Sequence, residues 1–352
     1  MSAAVQPLPA AGRVARVLIV DDSAVARAVI TGVIDRSGRY AVAGAVTSAN
    51  AALRFLREAA VDFILLDINL PGVDGVTALP DLLAAGGSAK VLIVSSLAAD
   101  GAAQTVQALA FGAADTLAKP AGGALSGSFG AALIDKLDRL GERPAFVARP
   151  SPPVAPPPVR ADGYDLVAIG ASTGGIHALS RLLRELPVSF TLPVLVTQHL
   201  PATFMPYFAA QLALLAGRPC DVASDRLRVR PGRVVVAPGD AHLCVAPLTD
   251  GACIRLSRAP AASGCMPSVD PMFASVAAAF GPRALGVVLS GMGRDGADGA
   301  RRLREAGAAV VIQDEESSVV WGMPGAVAGA GGADAMLPPD AIGRLIAERR
   351  RP

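Results

Sequence analysis

Two groups of residues in this 352-residue chain have the types and spacing for chemistry. The first is Gly170-Ala171-Ser172-Thr173-Gly174, a G-x-S-x-G pattern between the apolar run Leu166–Ile169 and a helical pattern starting near Ile176. A serine on a strand-to-helix turn projects its hydroxyl from the sheet edge, close to free helix N-terminal N–H groups, as acyl transfer needs. Such a serine also needs a base, and an acid to orient that base. His199 follows the next apolar run, Val194–Thr197, and so falls on the same rim as Ser172. His177 lies on the helix past the elbow and should point away, whereas His242, in a loop, is a candidate for substrate contact. For the acid there are two candidates: Asp295, after the run Leu285–Leu289 and two glycines, and Asp314, after Val310–Ile312, where it can equally cap a loop. The glycines around Met292 would let a backbone N–H approach an oxyanion. A dinucleotide site is the rival reading. Its G-x-G-x-x-G fingerprint is missing because Ser172 takes the place of the second glycine, and Gln198-His199, not an acid, ends the next run.

The second group is a set of strand-end residues in the first half. Asp21 and Asp22 follow Val17–Val20, Asp67 follows Phe63–Leu66, Ser95 follows Val91–Val94, and Lys119 follows Thr116–Ala118. An aspartate at a strand end often only caps a helix. Here, though, the residues fall on successive strand ends that converge on one rim of a doubly wound sheet. Carboxylates brought together repel and want a divalent cation, and an all-oxygen set favours Mg²⁺. A lysine beside them can neutralise an added phosphoryl group, and a serine can hydrogen-bond to it. The composite reads as a site for phosphorylating an aspartate.

Short β-branched runs alternating with amphipathic stretches position both groups. With Tyr40–Val46 the first half supplies five such strands, each with its amphipathic stretch, and the fifth unit ends near Leu140. The second half supplies Leu166–Ile169, Val194–Thr197, Val234–Ala237, Ile254–Leu256, Leu285–Leu289 and Val310–Ile312. Both halves read as α/β, doubly wound parallel sheets. Between them, Arg149-Pro150-Ser151-Pro152-Pro153-Val154-Ala155-Pro156-Pro157-Pro158 cannot pack as helix or strand. We therefore expect domains over 14–140 and 164–350 joined by a Pro-rich linker over 141–163. Pro80 should kink the third helix or delay its start. The net charge of +2 offers no nucleic-acid footprint, and Arg301, Arg302 and Arg304 read as a solvated helix face. The four cysteines form no C-x-x-C pair and read as thiols of a reducing compartment. With neither a signal-peptide pattern nor a membrane-length apolar run, a cytoplasmic protein is expected.

Val17-Leu18-Ile19-Val20-Asp21-Asp22-Ser23, Leu66-Asp67-Ile68-Asn69-Leu70-Pro71-Gly72, Val94-Ser95-Ser96 and Lys119-Pro120 resemble the receiver domain of bacterial response regulators, a flavodoxin-like fold. The resemblance implies Asp67 as phosphoacceptor. It implies Asp22, Asp67 and the Asn69 carbonyl as Mg²⁺ ligands with Asp21 in support, and Ser95 and Lys119 as a switch pair. Ile169–Gly175, Gln198-His199-Leu200-Pro201, Ala237-Pro238-Gly239-Asp240, Pro267-Ser268-Val269-Asp270, Ser290–Gly296 and Gly322-Met323-Pro324 resemble the methylesterase domain of the CheB family of chemotaxis proteins, a Rossmann-like fold. That resemblance implies a triad of Ser172, His199 and Asp295, supported by Thr173 and backbone N–H groups near Met292. The triad order, Ser…His…Asp, differs from that of α/β-hydrolases. The resemblance further implies no cofactor for the ester chemistry, glutamine deamidation in the same site, methyl-accepting chemoreceptors as substrate and a chemotaxis histidine kinase as phosphodonor. No nucleic-acid partner and no membrane insertion are expected. Met266 stands where the family usually has Arg or Lys.

Overall fold

The computed structural model describes residues 14–96, 99–119, 127–141 and 163–349. The chain divides into two compact units, Met1–Glu142 and Arg143–Pro352. The Pro-rich stretch expected to join them lies outside the described residues, apart from Gly141 and Gly163.

The first unit runs β1 (Ala15–Val20), α1 (Ala24–Ser37), β2 (Tyr40–Val46), α2 (Ala49–Glu58), β3 (Phe63–Leu66), α3 (Gly75–Gly86), β4 (Lys90–Ser96), α4 (Ala99–Phe111), β5 (Asp115–Lys119) and α5 (Gly127–Gly141). Its strands form one parallel sheet in the order β2-β1-β3-β4-β5. Val17–Val20 and Phe63–Leu66 are buried along their whole length because helices cover both faces of such a sheet. The order reverses between β1 and β3, so Asp21, Asp22 and Asp67 emerge at the switch point, where open α/β sheets bind ligands. Pro80 does not delay α3. The helix starts at Gly75, where Asp74 Oδ1 accepts from the N–H groups of Val76 (3.0 Å) and Thr77 (2.9 Å), and it continues through Pro80. Pro80 itself is exposed.

The second unit runs β6 (Leu166–Ala171), α6 (Gly175–Arg184), β7 (Val194–Gln198), α7 (Met205–Ala216), β8 (Cys220–Val222), β9 (Val234–Val236), β10 (His242–Leu248), β11 (Gly251–Ser257), α8 (Val269–Phe280), β12 (Ala284–Val288), α9 (Ala297–Glu305), β13 (Ala309–Gln313), α10 (Gly322–Gly329), β14 (Ala335–Leu337) and α11 (Pro339–Ala347). Seven strands form a parallel sheet in the order β14-β13-β12-β6-β7-β9-β8. One expectation is corrected here. Ile254–Leu256 is not a strand of this sheet but part of β11, which pairs antiparallel with β10 in a separate hairpin closed at Leu248 and Gly251. An apolar run of three residues does not reveal whether its partner is parallel or antiparallel. The switch point lies between β6 and β12, and it receives Ser172 from one side and the Ser290–Gly296 stretch from the other.

Candidate active site

Ser172 sits one residue past β6, and the turn that follows is shaped by glycines. Gly174 has a φ of +76°, a left-handed conformation costly for other residues, and α6 starts immediately after it. Across the rim, a Cβ placed on Gly291 would lie 2.8 Å from Ser172 Cβ, so only glycine lets the segment after β12 come this close. The elbow is fixed from both flanks. Ser172 N–H donates to Ser290 O at 3.0 Å, and Gln198 Nε2 donates to Ser172 O at 2.9 Å.

His199 follows β7, whose Gln198 pairs with Ala171 of β6. Its N–H donates to Ala171 O at 3.1 Å, which carries the β6–β7 pairing one step further and sets His199 beside the elbow. Its Nε2 lies 2.7 Å from Asp295 Oδ2. Asp295 is 1 % exposed, yet it is surrounded by donors. Oδ2 also accepts from Val269 N–H at 2.7 Å, while Oδ1 accepts from Ser268 Oγ at 2.6 Å, Gly296 N–H at 3.1 Å and Asp270 N–H at 3.3 Å. Two of these N–H groups open α8, so the carboxylate occupies the electropositive end of that helix. Burial alone would raise the Asp295 pKa, but the bonds from His199, Ser268 and Val269 outweigh it and hold it at about 2. Burial alone would likewise lower the His199 pKa, but the Asp295 bond and the nearby Cys265 sulfur overcome it, and the value is raised to about 9.

That value fixes a pH dependence. A histidine acts as base only when unprotonated, so kcat/KM should climb as pH rises from 6.5 towards about 9. The stability linkage runs the other way. The pairing with Asp295 stabilises the fold fully below pH 6.5 and is lost as pH rises through about 9, so Tm should fall over the interval in which activity climbs. A pH profile of activity, paired with thermal melts at the same pH values, measures both.

The other residues singled out in the sequence have separate roles. His242 is not a loop contact for substrate. It opens β10, is 1 % exposed, and has both nitrogens engaged: Nδ1 accepts from Ser268 N–H at 2.9 Å, and Nε2 lies 2.8 Å from Ala259 O. It braces the segment leading into α8. Asp314 caps its own loop, its Oδ1 accepting from Ser317 N–H and Oγ. Thr173 contributes its carbonyl to Ser290 Oγ at 2.8 Å, and Met292 is half-buried between β12 and α9. His177 lies on α6. Asp240 pairs with Arg258 at 2.7 Å on the surface, and Met266 is 40 % exposed. Sequence reasoning did not single out Gln198, whose Oε1 is buried without a partner beside the elbow, nor Cys265. A polar residue ending an otherwise apolar strand was the available sign for Gln198.

In the first unit, Asp21, Asp22 and Asp67 bring carboxylate oxygens within 4.8 Å of one another. Lys119 Nζ lies 2.7 Å from both Asp21 Oδ2 and Asp67 Oδ2. Burial would lower the Lys119 pKa, but these two carboxylates raise it, so its charge is secured. Ser95 Oγ is buried and unpartnered, an unusual cost for a native core unless the hydroxyl serves an arriving group. Asn69 is exposed, and its N–H donates to Asp67 Oδ1 at 3.3 Å. The hard-oxygen donor set fits a divalent cation, and the orphan hydroxyl fits a phosphoryl oxygen.

Residues 17–125 match the response regulator receiver domain, and residues 167–346 match the CheB methylesterase family. The protein-glutamate methylesterase/protein-glutamine glutaminase 2 of Caulobacter vibrioides is 43% identical, with 96% of this chain and 99% of the relative covered. The corresponding protein of Azospirillum brasilense is 39% identical, covering 96% and 93%. Among solved structures, the CheB methylesterase catalytic domain of Thermotoga maritima matches with a TM-score of 0.51 and 33% identity, covering 53% of this chain and 99% of that one. Since relatives running nearly its whole length match both parts in the same order, the chain belongs to the CheB methylesterase family.

Proposed function

We propose that this chain is a phosphorylation-regulated carboxylic ester hydrolase that removes methyl groups from glutamate γ-methyl esters on the cytoplasmic helices of chemoreceptors and deamidates glutamines in the same site. The observation that carries the reading is the 2.7 Å bond between His199 and Asp295 on the rim that bears Ser172. With Nε2–H given to Asp295, the neutral imidazole keeps its lone pair on Nδ1 for the serine. Ser172 Oγ attacks the ester carbonyl as its proton passes to His199, and the C–O π pair becomes an oxyanion held by backbone N–H groups near Met292. Collapse breaks the bond to the methoxy oxygen, which leaves as methanol with the proton from His199. Water, deprotonated by His199, then cleaves the acyl-serine, releasing glutamate and restoring Ser172. For glutamine, ammonia leaves in place of methanol. Asp295 stays ionised throughout and stabilises the imidazolium.

Regulation is assigned to the first unit, with a chemotaxis histidine kinase as phosphodonor to Asp67. Asp21, Asp22 and Asp67 would hold Mg²⁺, with the Asn69 carbonyl as a further ligand, and the ion would offset the charge of the incoming phosphoryl group. Ser95 Oγ would accept the role of hydrogen-bonding a phosphoryl oxygen, and Lys119 would pair with another. Phosphorylation then favours the active population of the esterase. A tenfold activation requires only about 1.4 kcal/mol of differential stability. Methanol release from methylated receptor, with and without acetyl phosphate, tests the reading. The wild type should respond to the phosphodonor and Asp67→Asn should not. A normal response in Asp67→Asn would remove Asp67 as the acceptor, and no methanol release at all would remove the esterase.

A further inference from the structure

Cys265 stands where neither the ester chemistry nor the phosphorelay requires a thiol. Its Sγ, a nitrogen of His199 and a carboxylate oxygen of Asp295 all lie within 4.8 Å of one another. The other three cysteines are placed differently. Cys253 is buried in the β10–β11 hairpin. Burial pushes the Cys220 thiol up to about 12 and also raises that of Cys244. Cys265 is half-buried, and His199 beside it keeps 17 % of its side chain exposed, so the cluster is open to small solutes.

We propose that Cys265, His199 and Asp295 form an inhibitory site for a thiophilic divalent cation of the Zn²⁺ class. Zinc binds sulfur at about 2.3 Å, imidazole nitrogen at about 2.0 Å and carboxylate oxygen at about 2.2 Å, so in its tetrahedral geometry these ligand atoms lie about 3.4 to 3.7 Å apart. Atoms already within 4.8 Å of one another reach that span by closing about 1 Å, a movement that side-chain rotation at the half-buried Cys265 can supply. One thiolate, one neutral imidazole and one carboxylate, with the fourth position left to water, is a set suited to Zn²⁺ and poorly suited to Mg²⁺. Charges balance: the ion's two positive charges meet the Cys265 thiolate and the Asp295 carboxylate, His199 binds as the neutral imidazole, and the thiol proton and the imidazolium proton leave to solvent. The segment bearing the thiol is already tied to the acid. Cys265 N–H donates to Ser263 Oγ at 3.3 Å, Ser263 Oγ donates to Ser268 Oγ at 3.1 Å, and Ser268 Oγ donates to Asp295 Oδ1 at 2.6 Å. Asp295 also keeps its other donors when the ion replaces the proton it shares with His199. A metal-bound imidazole has no lone pair to offer Ser172, so the ion switches off hydrolysis.

Inhibition depends on His199 being the base of the proposed esterase; metal binding does not, and the two are read separately. Full-length protein, with excess Mg²⁺ and acetyl phosphate, is titrated with Zn²⁺ while methanol release is followed. Parallel samples are titrated with Co²⁺ and their near-ultraviolet spectra recorded, because a thiolate–Co²⁺ charge-transfer band demands a sulfur ligand, which the carboxylates of the first unit cannot supply. Wild type should lose about tenfold or more of its own zinc-free rate, regain it with a zinc-selective chelator, and show the band. Cys265→Ala, and Cys265→Ser as a second variant, should resist Zn²⁺ relative to their own zinc-free rates and lack the band. Equal zinc inhibition in wild type and both variants, or a wild type without the band, overturns the site. Absence of methanol release in untreated wild type would count against the esterase reading, with the cobalt spectrum still deciding the metal site.

Discussion

Ser172→Ala should lower kcat for methyl ester hydrolysis by about a millionfold, the loss seen when a triad nucleophile is removed. The reason is chemical. Alanine leaves no oxygen to form the acyl intermediate, and His199 alone would have to activate water in a site shaped for a covalent step. The fold should be untouched. The Ser172 contacts that hold the elbow are its N–H to Ser290 O and its carbonyl to Gln198 Nε2, and both are backbone groups that alanine retains. An unchanged Tm combined with abolished methanol release is therefore the expected pair of measurements. Glutamine deamidation should fall in parallel, since ammonia and methanol leave from the same acyl step. Near-normal esterase activity in purified Ser172→Ala would refute the nucleophile. Loss of esterase with deamidation retained would refute a shared site.

Much of this arrangement was legible in the chain, for identifiable reasons. Parallel strands covered on both faces read as unbroken apolar runs, and where a run stops the next residue sits on the rim. That rule alone carried Ser172, His199, Asp67 and Lys119 to their places beyond β6, β7, β3 and at the end of β5. It failed where the element was short or two-stranded. β8 and β14 have three residues each and lack the β-branched run that marks the equally short β9 (Val234-Val235-Val236), and β11 was read as a strand of the main sheet. His242 was misread for a related reason. Its position after Pro238-Gly239-Asp240 suggested a loop, but the hairpin starts at His242 itself and buries it.

The choice between Asp295 and Asp314 shows what strand-end logic cannot decide. Both follow strands of the same sheet, β12 and β13, and both are aspartates near the rim. Their environments separate them. Asp314 meets the hydroxyl and N–H of Ser317 three residues on, a local cap. Asp295 meets donors from three separate segments: β7's end, the start of α8 and its own turn. Contacts across 26 and 96 residues of chain leave no trace in local patterning. Cys265 was invisible for the same reason, since its closeness to His199 depends on the path of the segment before α8.

Asp295→Asn is the second large effect, and its several readouts make it the sharper test of how the site works. The fall in kcat should be about ten thousandfold, the loss found when the triad acid becomes an amide. The carboxylate accepts five hydrogen bonds and donates none. An asparagine amide must turn its NH₂ towards one side of this set. Facing His199, it would make Nε2 the acceptor and leave the proton on Nδ1, where Ser172 needs a lone pair. Facing the other side, it meets the N–H groups of Asp270 and Gly296, neither of which can accept. Only Ser268 Oγ can reverse its role. Either orientation leaves buried donors opposed, so the variant should also melt at a lower temperature. Its pH behaviour should change with a definite sign. Loss of the Asp295 carboxylate removes the hydrogen bond that does most to raise the His199 pKa, together with its charge, so the inflection in any residual activity should move down from about 9. The acid limb of stability should change as well. Asp295 in the wild type contributes stability that is present above 3.8 and lost as pH falls through about 2, and the variant should lack that contribution. Residual activity within tenfold of wild type, or an unmoved inflection near 9, would show that Asp295 neither orients nor charges His199.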